Sequence, residues 1–513
     1  MPTPPTELHL VEQVIAEHPD VARVRVETGE DGAQAPSLVA HLTLTDAVPG
    51  SRTPEEESKR VGEWQLIYEW VYGELPGTGG LGDNFVGWHS TYSGLPIALE
   101  EMREWRDATV ERILSLRPRR VLEIGVGTGL LMARLAPHCE HYVATDFSPT
   151  VIDSLTAQVA EVPELAGQVV LRCQEADDFT GLEGEFDTVV LNSVVQYFPN
   201  GGYLAEVVRR AAELVAPGGA VFIGDVRNLR LHRAFRTAVL AGELAEHTGP
   251  GAAHAHVEDS VLNEKELLVD PDFFTSVARQ VPDVAAVDIR LKRARHHNEL
   301  SRHRYDAVLR KAPRPVTDAA ALPTLVWGME VSGVTGAAER LRARPAAAVR
   351  IVDVPDARVA HEVAAARLLE TGAGVETVLK ALETGGAPAA AADPEALYAL
   401  GDELGYDTAV CWAASGAPGL VDVVFVPRGP EPAVVSCAAT ERVGPHPAAY
   451  ANHPARATRT STVVAELRAT LAERLPAHLV PHSFVVPEGD RDGAGPSPRD
   501  AQDTPGTRAD QAR

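Results

Sequence analysis

The sequence predicts an α/β fold built around a mostly parallel sheet. The segment "RRVLEIGVGTGLLMARLA" contains a short apolar run, a glycine-rich turn and then apolar residues at helical spacing. A second apolar run, "HYVATD", ends in Asp146, seventeen residues after Gly129. Strand-like and helix-like segments then alternate to about residue 312, as they do in sheets whose parallel strands are joined by helices.

The composition is that of a globular protein with several domains and an acidic charge balance. The chain has 513 residues, of which 45% are hydrophobic and 23% charged. Its 47 Lys and Arg residues against 72 Asp and Glu residues give a net charge of -25. Because binding to nucleic acid or to an anionic membrane needs clustered cations, we expect neither kind of partner.

Cysteine spacing and the amino-terminal segment bear on metal binding and location. None of the four cysteines has zinc-site spacing; they are Cys139, Cys173, Cys411 and Cys437. His254 and His256 have no acidic partner at metal spacing and read as loop residues, so we expect no metal. The first ten residues lack the features of a signal peptide, and no apolar run reaches the roughly 18 residues of a membrane span. These observations predict a cytoplasmic protein.

The chain divides into regions of different pattern. Residues 6–44 read as a helix and two strands, and "TDAVPGSRTPEEESKRVG" reads as a linker. After the α/β region, strand–helix alternation continues more weakly and then gives way to one helix, one short strand and a polar tail that is predicted to be disordered. The predicted divisions are 1–48, 62–312, 313–433, 434–486 and 487–513.

Three glycines at alternate positions, Gly125, Gly127 and Gly129, follow the first strand of the α/β region. Glycine lets the backbone approach a ligand closely and adopt positive φ, and the start of the following helix favours a polar or negative group. An acid at the end of the next strand, here Asp146, accepts hydrogen bonds from ribose hydroxyls in nucleotide-binding proteins. A tight strand-to-helix connection without a ligand is the alternative.

Two cofactors suit this turn, a dinucleotide and S-adenosylmethionine. The dinucleotide pattern is G-x-G-x-x-G, whereas here the third glycine comes one residue early. Glu123 precedes the first glycine by two positions, which makes the string E-x-G-x-G-x-G. This string resembles the first motif of class I methyltransferases, and "FDTVVLNSVVQYF" and "LVAPGGAVFIGDV" resemble two of their later motifs.

The resemblance implies a Rossmann-like class I methyltransferase fold with a seven-stranded sheet. Its last two strands, "VDIRLKRA" and "RYDAVLRK", would form an antiparallel hairpin, and residues 227–284 would form a helical cap before them. The segment "CQEADDF" lies where these enzymes contact adenine. S-adenosylmethionine is then the expected cofactor, and the residues expected to bind it are Glu123, Gly125, Gly127, Gly129, Asp146, Asp177 and Asn192.

A narrower resemblance covers about residues 62–430. The strings "NFVGWHSTYSGLPIALEEMREWRDATVERIL", "EKELLVDPDFF" and "VDIRLKRARHHNELSRHRYDAVL" resemble methyltransferase domains of nonribosomal peptide synthetases. Those domains are inserted in the small subdomain of an adenylation domain. The resemblance implies N-methylation of an aminoacyl or peptidyl group on a carrier protein, in natural-product assembly.

The flanking segments resemble the two halves of that interrupted subdomain. "LVEQVIAEHPDVARVRV" and "VVAELRATLAERLPAHLVPHSFVVPE" are similar to the segments before and after the insertion, so 1–48 and 434–486 are predicted to be remnants of an α+β adenylation subdomain. The large ATP-binding subdomain has no counterpart, and the last lysine is Lys380, so the family's C-terminal lysine is missing. We therefore expect that the chain does not carry out adenylation. We also expect it to act in trans, on a carrier protein that another protein has loaded.

Two candidate catalytic residues lie at the ends of strands. Tyr197, in "LNSVVQYF", could orient the substrate from the carboxyl end of its strand, or it could pack on the next helix. Asp225, in "VFIGDVRN", could also face the substrate. Its alternative is a salt bridge to Arg227 or Arg230.

Two further candidates come from "RHHNEL", in which His297 and Glu299 match the synthetase pattern. A histidine beside a carboxylate can accept a proton, and a hydrogen-bonded turn is the alternative. Upstream, the aromatic and glycine-rich string "NFVGWHSTYSG" could cover the site, with Trp88 and Tyr92 as walls. Its alternative is a packing segment.

The acceptor is the least defined part of the prediction, because a cofactor site does not encode the group that is methylated. Transfer to oxygen or carbon and a small free substrate are the near alternatives. A non-catalytic scaffold that pairs with a synthetase and an NAD-dependent dehydrogenase are alternatives of other classes.

Overall fold

The computed structural model describes residues 5–29, 37–45, 54–74, 79–182, 184–244, 250–384, 391–437, 443–481 and 483–485. The strands in these residues are β1 Val21–Gly29, β2 Ser37–Leu44, β3 Arg120–Ile124, β4 His141–Asp146, β5 Val169–Cys173, β6 Phe186–Asn192, β7 Val215–Arg227, β8 Val284–Leu291, β9 Arg304–Lys311, β10 Thr317–Asp318, β11 Thr324–Val326, β12 Val349–Pro355, β13 Tyr406–Trp412, β14 Leu420–Pro427, β15 Val435–Ser436 and β16 Ser483–Val485. The α-helices are α1 Pro5–Ala16, α2 Pro54–Glu74, α3 Leu99–Leu114, α4 Met132–Leu135, α5 Pro149–Ala160, α6 Pro163–Ala166, α7 Gly201–Leu214, α8 His232–Val239, α9 Ala241–Leu244, α10 Pro250–Leu262, α11 Asp272–Ala278, α12 Glu299–Arg302, α13 Gly333–Ala343, α14 Ala360–Glu370, α15 Val375–Thr384, α16 Pro394–Leu404 and α17 Pro454–Arg474.

A seven-stranded sheet forms the centre of the molecule, with the order β5-β4-β3-β6-β7-β9-β8. Strands β3 to β7 are parallel, and β9 runs antiparallel to both β7 and β8. Adjacent residues of the central strands, such as Val121 and Leu122 or Val189 and Val190, are all fully buried. Continuous apolar runs of this kind are typical of parallel strands that are covered on both faces. The predicted sheet and its antiparallel last pair are confirmed.

Helices cover both faces of this sheet. One face packs on α7 and α11 through buried side chains such as Leu204 and Phe273. The other face packs on α3, α4 and α5, whose contributions include Ile113, Met132 and Leu155. The helix that follows the glycine turn is short, since α4 spans four residues and then gives way to a 3-10 turn.

The connection between β7 and β8 contains α8 to α11, so the predicted cap is helical. It packs on α14 and α15 through a small core that includes Leu244, Val257 and Leu369. The prediction that His254 and His256 lie in a loop was wrong, because both are on helix α10. The flanking glycines and prolines have the composition of a loop, whereas packing on α8 and α14 supports a helix here.

The region after β9 forms a second sheet with the order β11-β12-β14-β13. Strands β12, β13 and β14 pair antiparallel, and β11 is parallel to β12. Its buried residues Ile351, Val410 and Phe425 belong to the same hydrophobic core as Ile289 on β8 and Ala307 on β9. This accessory region therefore packs directly against the antiparallel edge of the central sheet.

The two flanks of the chain fold together into a small unit, with the sheet order β1-β2-β16. Strand β2 pairs antiparallel with β1 and parallel with β16. Helices α1 and α17 complete a separate core that includes Val11, Ile15, Leu42, Leu467 and Phe484. The segments predicted to be remnants of one subdomain are thus brought together in space.

Two predicted boundaries differ from the structure. Helix α2 begins at Pro54, so the second half of the predicted linker is helical. The three glutamates in its first turn are favourable at a helix amino terminus, but a run of acidic residues is equally typical of a linker. The boundary at residue 434 also moves, because β15 pairs with β10 and Asn452 hydrogen-bonds the backbone of Leu268 in the cap. The predicted tail, 487–513, lies outside the described residues.

Two absences hold for the described part of the chain. None of its helices combines the length and apolar character that crossing a membrane requires. No group of three or more His, Cys, Asp or Glu side chains there is arranged to hold a metal ion.

Candidate active site

A cavity of about 550 Å³ opens at the carboxyl ends of the parallel strands, which is where open α/β sheets bind ligands. Residues 123–128, the end of β4 and the end of β6 form one part of its wall. Helix α2 and residues 86–97 cover it on one side. Residues of the cap between 227 and 268 and the connection 299–304 line the rest.

The glycine turn has the backbone that the sequence predicts. Gly125, Gly127 and Gly129 have φ values of 79°, 50° and 77°, a region that favours glycine. A Cβ atom on Gly125 would lie 2.7 Å from Cγ2 of Val194, and one on Gly127 would lie 3.4 Å from the Tyr72 hydroxyl. The turn therefore needs glycine for its conformation and for the space beside the cavity.

Asp146 lies at the end of β4 and faces the same turn. Its Oδ2 accepts a hydrogen bond from the Gly127 backbone N–H at 2.9 Å, and its Oδ1 accepts one from the Ser148 N–H at 3.0 Å. Burial raises its pKa to about 6, against the effect of these two bonds. At neutral pH the carboxylate is thus mainly ionised and can accept hydrogen bonds from a ligand's hydroxyls.

Glu123, at the end of β3, is more deeply buried than Asp146. The Tyr142 hydroxyl donates a hydrogen bond to its Oε2 at 2.8 Å. Burial raises its pKa to about 8, so Glu123 keeps its proton over most of the physiological range. It lines the cavity as a neutral carboxylic acid.

Glu123→Gln is expected to change how stability depends on pH. Because folding raises the pKa of Glu123 from 4.5 to about 8, the folded state binds the extra proton between these values and its stability falls as pH rises. The loss reaches up to about 1.4 kcal/mol per pH unit in this window. Urea unfolding at pH 6 and pH 8 should show wild type losing stability relative to Glu123→Gln; equal losses in both proteins would contradict the buried neutral acid.

Aromatic side chains form the wall opposite the glycine turn. Trp64 and Tyr68 on α2 lie 4.7 Å and 5.0 Å, between ring centroids, from Tyr197. Burial, and then the nearby Glu266 carboxylate, raise the pKa of Tyr197 above its usual value, so its hydroxyl keeps its proton. Tyr197 lies on the cavity wall, as its predicted role requires, and that role stays a prediction.

Comparison with known proteins points to one family. A family model described as a methyltransferase domain matches residues 122–221. Chondramide synthase cmdD from Chondromyces crocatus is 36% identical in an alignment of 492 residues, and this alignment covers 93% of this chain and 12% of that protein. The probable non-canonical nonribosomal peptide synthetase CymA from Salinispora arenicola is 37% identical over 480 residues, 93% of this chain and 5% of that protein. The chain therefore spans a small fraction of the length of these relatives.

The chain contains a methyltransferase domain, and over most of its length it is similar to a segment of a probable nonribosomal peptide synthetase. S-adenosylmethionine is the methyl donor expected for such a domain. Among solved structures, the magnesium protoporphyrin IX methyltransferase ChlM from Synechocystis covers 51% of this chain and 100% of its own, with 12% identity and a TM-score of 0.33. The N-methyltransferase NodS from Bradyrhizobium japonicum covers 41% of this chain and 97% of its own, with 16% identity and a TM-score of 0.28.

The cavity of this methyltransferase fits its donor. The glycine turn leaves space that a Cβ would fill, and Asp146 offers a buried carboxylate for ribose hydroxyls. Gln174, on the cavity wall after β5, has a buried Oε1 without a hydrogen-bond partner in the described residues. Asn192 has an unpartnered buried Oδ1 in the same wall. Buried polar atoms of this kind are satisfied when a polar ligand is bound.

Asp177 is a predicted donor-binding residue that does not line the cavity. Its backbone oxygen accepts a hydrogen bond from Arg210 at 2.6 Å, and its carboxylate hydrogen-bonds Tyr203. Gln174 and Ala176, from the same string, line the cavity instead. Within this segment, the turn after β5 directs a different polar side chain to the cavity wall.

Two predicted catalytic residues, His297 and Asp225, do not lie at the cavity in the structure. His297 lies with its Nε2 3.2 Å from Asp393 Oδ2, at the accessory region. Asp225 is fully buried behind the wall, paired with Arg304 at 2.5 Å. Its partner is thus neither Arg227 nor Arg230, because these two arginines pair with carboxylates of the cap.

Glu299 lines the cavity, but its carboxylate is occupied. Its two oxygens accept hydrogen bonds from the Thr91 backbone N–H at 2.7 Å and from the Thr91 hydroxyl at 2.9 Å. Glu299 therefore holds the covering segment 86–97 against α12. Trp88 in that segment lines the cavity, whereas Tyr92 points past it toward the accessory region.

The cap contributes charged residues to the part of the cavity wall formed by residues between 227 and 268 and by residues 299–304, which is called the acceptor part below. Arg227 pairs with Glu264 at 3.0 Å and with Glu266 at 2.7 Å. Next to them His232 is buried, with its Nε2 3.7 Å from Glu264 and without a hydrogen bond in the described residues. Burial lowers the pKa of His232 to about 3, so this imidazole is neutral at physiological pH.

His303 is a cavity residue that the sequence reasoning missed. Its Nε2 lies 2.8 Å from Glu362 Oε2 and 2.9 Å from the Tyr92 hydroxyl, which itself donates to Glu362 Oε1 at 2.9 Å. Its Nδ1 is buried and has no hydrogen-bond partner in the described residues. Glu362 belongs to α14 of the accessory region, 59 residues further along the chain, so no local pattern signals the pair.

Proposed function

We propose that the chain N-methylates the α-amine of an aminoacyl or peptidyl group held on a carrier protein, in the assembly of a peptide natural product. CymA, which matches 93% of this chain, is described as a probable nonribosomal peptide synthetase, and this supports a carrier-bound substrate. The observation that carries the choice of an amine is the His303–Glu362 pair at the cavity.

The geometry of this pair suits proton acceptance. Because the Tyr92 hydroxyl donates its hydrogen to Glu362, its oxygen accepts the hydrogen bond from Nε2 of His303. The ring proton therefore resides on Nε2, and Nδ1 carries a free lone pair. Nδ1 has no hydrogen-bond partner in the described residues, so its lone pair is not already used. A carboxylate that orients a histidine in this way is the usual arrangement of a general base.

The basicity of an imidazole favours nitrogen as the acceptor. S-adenosylmethionine supplies a methyl group on a sulfonium, a good leaving group, so the enzyme chiefly positions and desolvates the nucleophile. An α-ammonium group must lose a proton before its nitrogen can attack the methyl group. An imidazole is basic enough to accept that proton. An aliphatic alcohol or a carbon acid holds its proton more tightly than an ammonium group does, so the same imidazole favours an amine over those acceptors.

The second part of the proposal is that the chain acts in trans. The donor turn, the aromatic wall, the cap and the His303–Glu362 pair all come from the residues of this chain. Methyl transfer therefore needs only the donor and a substrate delivered to the cavity. A separate carrier protein is the proposed partner.

An assay with aminoacylated carrier proteins and isotopically labelled methyl donor tests both parts. We expect labelled product on a carrier supplied as a separate protein, and fragmentation should locate the label on nitrogen. Label on oxygen or carbon would replace N-methylation by the alternative acceptor. Turnover of free amino acids at the same rate as the carrier-bound form would contradict a carrier substrate.

His303→Gln is expected to lower kcat by roughly 100- to 10,000-fold, the range for loss of a general base. The affinity for S-adenosylmethionine should stay unchanged, because His303 belongs to the acceptor part of the wall. Raising the pH should recover part of the rate, since more of the amine is then neutral without help. Initial rates and donor-binding titrations at several pH values measure these effects.

His296→Gln is the matched control for this variant. His296 lies in the same connection between β8 and β9, but its ring pairs with Glu104 at the surface. We expect an unchanged rate in this control. If His303→Gln kept wild-type kcat at all pH values, His303 would have no role as proton acceptor.

A further inference from the structure

A second cavity, of about 580 Å³, lies between α3, the β8–β9 pair and the accessory region. It is separate from the methyl-transfer cavity, and none of the roles described above uses it. Its floor consists mainly of charged side chains from β8, β9 and α3. These residues are partly or fully buried.

One carboxylate on this floor faces three guanidinium groups. Asp288 on β8 accepts a hydrogen bond from Arg290 Nε at 2.8 Å. Its Oδ2 also lies 3.8 Å from Nη2 of Arg112 and 3.9 Å from Nη2 of Arg310. A carboxylate has two oxygens and matches one guanidinium in the bidentate arrangement, so three of them are incompletely satisfied.

Arg310 is the least satisfied of the three. It is 91% buried, being 9% exposed, and its Nε is buried without a hydrogen-bond partner. Within the described residues its one ion pair is the long contact with Asp288. Burial lowers its pKa to about 10, and the nearby Arg290, Arg112 and Arg314 act in the same direction. The guanidinium group of Arg310 therefore has no anion in close contact within the described residues.

The charge balance of the floor gives the same result. Arg112, Arg290, Arg310 and Lys292 face Asp288 and Asp306, with Lys292 paired to Asp306 at 3.1 Å. Lys292 also lies 4.0 Å from Asp225, which pairs with Arg304. The pairs Lys292–Asp306 and Arg304–Asp225 each balance, which leaves three guanidinium groups against the one charge of Asp288, an excess of two positive charges. At the rim, exposed arginines pair with carboxylates, and Glu104, Asp107 and Glu111 also line the cavity, so the positive excess is confined to the buried floor. Buried charge without a counter-charge is costly.

We propose that this cavity binds a phosphate group, held by Arg112, Arg290 and Arg310. A phosphate carries up to two negative charges, which match the excess, and several oxygens, which match guanidinium donors. The volume of the cavity exceeds that of inorganic phosphate, so the ligand is either the free ion or a small phosphomonoester. The site is independent of the methyl acceptor.

Calorimetric titration of the full chain with inorganic phosphate and with adenosine 5′-monophosphate tests the site, with sodium chloride holding the ionic strength constant. We expect saturable binding of at least one of the two, and the tighter one identifies the free ion or the monoester as the ligand. Thermal unfolding should shift upward with the bound ligand, because a ligand of the native state stabilises it. No saturable binding of either ligand by wild type would overturn the proposal.

Arg310→Met should weaken phosphate binding by about tenfold or more. The same variant should unfold at a higher temperature than wild type in chloride alone, since it removes an uncompensated buried charge. Arg342→Met is the control, because Arg342 forms an exposed pair with Glu403 and neither residue lines the cavity. Wild-type phosphate affinity in Arg310→Met, with the control also unchanged, would show that the cavity does not hold the ligand.

Discussion

Asp225→Asn is expected to lower the free energy of unfolding by about 3–5 kcal/mol, the cost of removing one partner from a buried ion pair. Asp225 is fully buried and accepts hydrogen bonds from Trp105 Nε1 at 2.8 Å and the Ser193 hydroxyl at 2.7 Å. Although burial opposes ionisation, Arg304 and Lys292 hold its pKa below the usual value. Without the carboxylate, these two cations lose a buried counter-charge. Urea unfolding measures the loss.

Asparagine is the appropriate replacement at this position. Asp225 has a φ of 60°, which asparagine tolerates better than most residues, so the variant removes the charge and leaves the backbone unstrained. Glu403→Gln is the control, because its pair with Arg342 is exposed and such pairs contribute little. A variant of normal stability with a lost kcat would instead restore Asp225 to the catalytic role that the sequence predicts.

Gly125→Ala is expected to weaken the binding of S-adenosylmethionine by about 10- to 100-fold. An L-residue in the left-handed region costs roughly 1–2 kcal/mol, and the added Cβ meets Val194 Cγ2 at 2.7 Å. To relieve both, the turn must move, and the Gly127 N–H and Asp146 move with it. Isothermal titration with the donor measures the affinity, and thermal unfolding reports any loss of the fold.

Two further variants separate the causes of this effect. Gly242→Ala, in a helical turn where a Cβ meets nothing within 4 Å, should keep wild-type affinity. Val194→Ala combined with Gly125→Ala removes the clash but not the backbone strain, so we expect partial recovery. Wild-type affinity in Gly125→Ala alone would mean that the donor does not depend on the shape of this turn.

The central sheet and the donor part of the site could be predicted because their signals are local. Apolar runs, the alternate glycines and an acid at a strand end lie within a few residues of one another, and strands β3 and β4 place them at one edge of the sheet. Gly125, Gly127, Asp146 and Glu123 line the cavity, whereas Gly129 does not and packs near Leu155 and Met132. The helices α2 and α10 were harder to predict because their polar, acidic or glycine-containing ends have the composition of loops.

The acceptor part of the site could not be predicted in the same way. His297 and Glu299 are neighbours in the sequence and carry suitable side chains, but one pairs with Asp393 and the other with Thr91. His303, six residues after His297, reaches the cavity because α12 turns the chain between them. Which of several polar side chains faces a cavity depends on a rotation of about 100° per residue in a helix.

The sequence by itself determined the fold class and the parallel strands around the glycine turn, because both follow from residues close along the chain. The resemblance to class I methyltransferases, carried by the same residues, indicated the methyl donor. The tertiary structure decided the partners of the buried charges and the shape of the acceptor part. Glu362 meets His303, and Arg112 meets Asp288 and Arg310, only when the accessory region and α3 pack on the edge of the sheet. The energy of interaction between two charges depends on the distance between them in space. That distance cannot be derived from their separation along the chain.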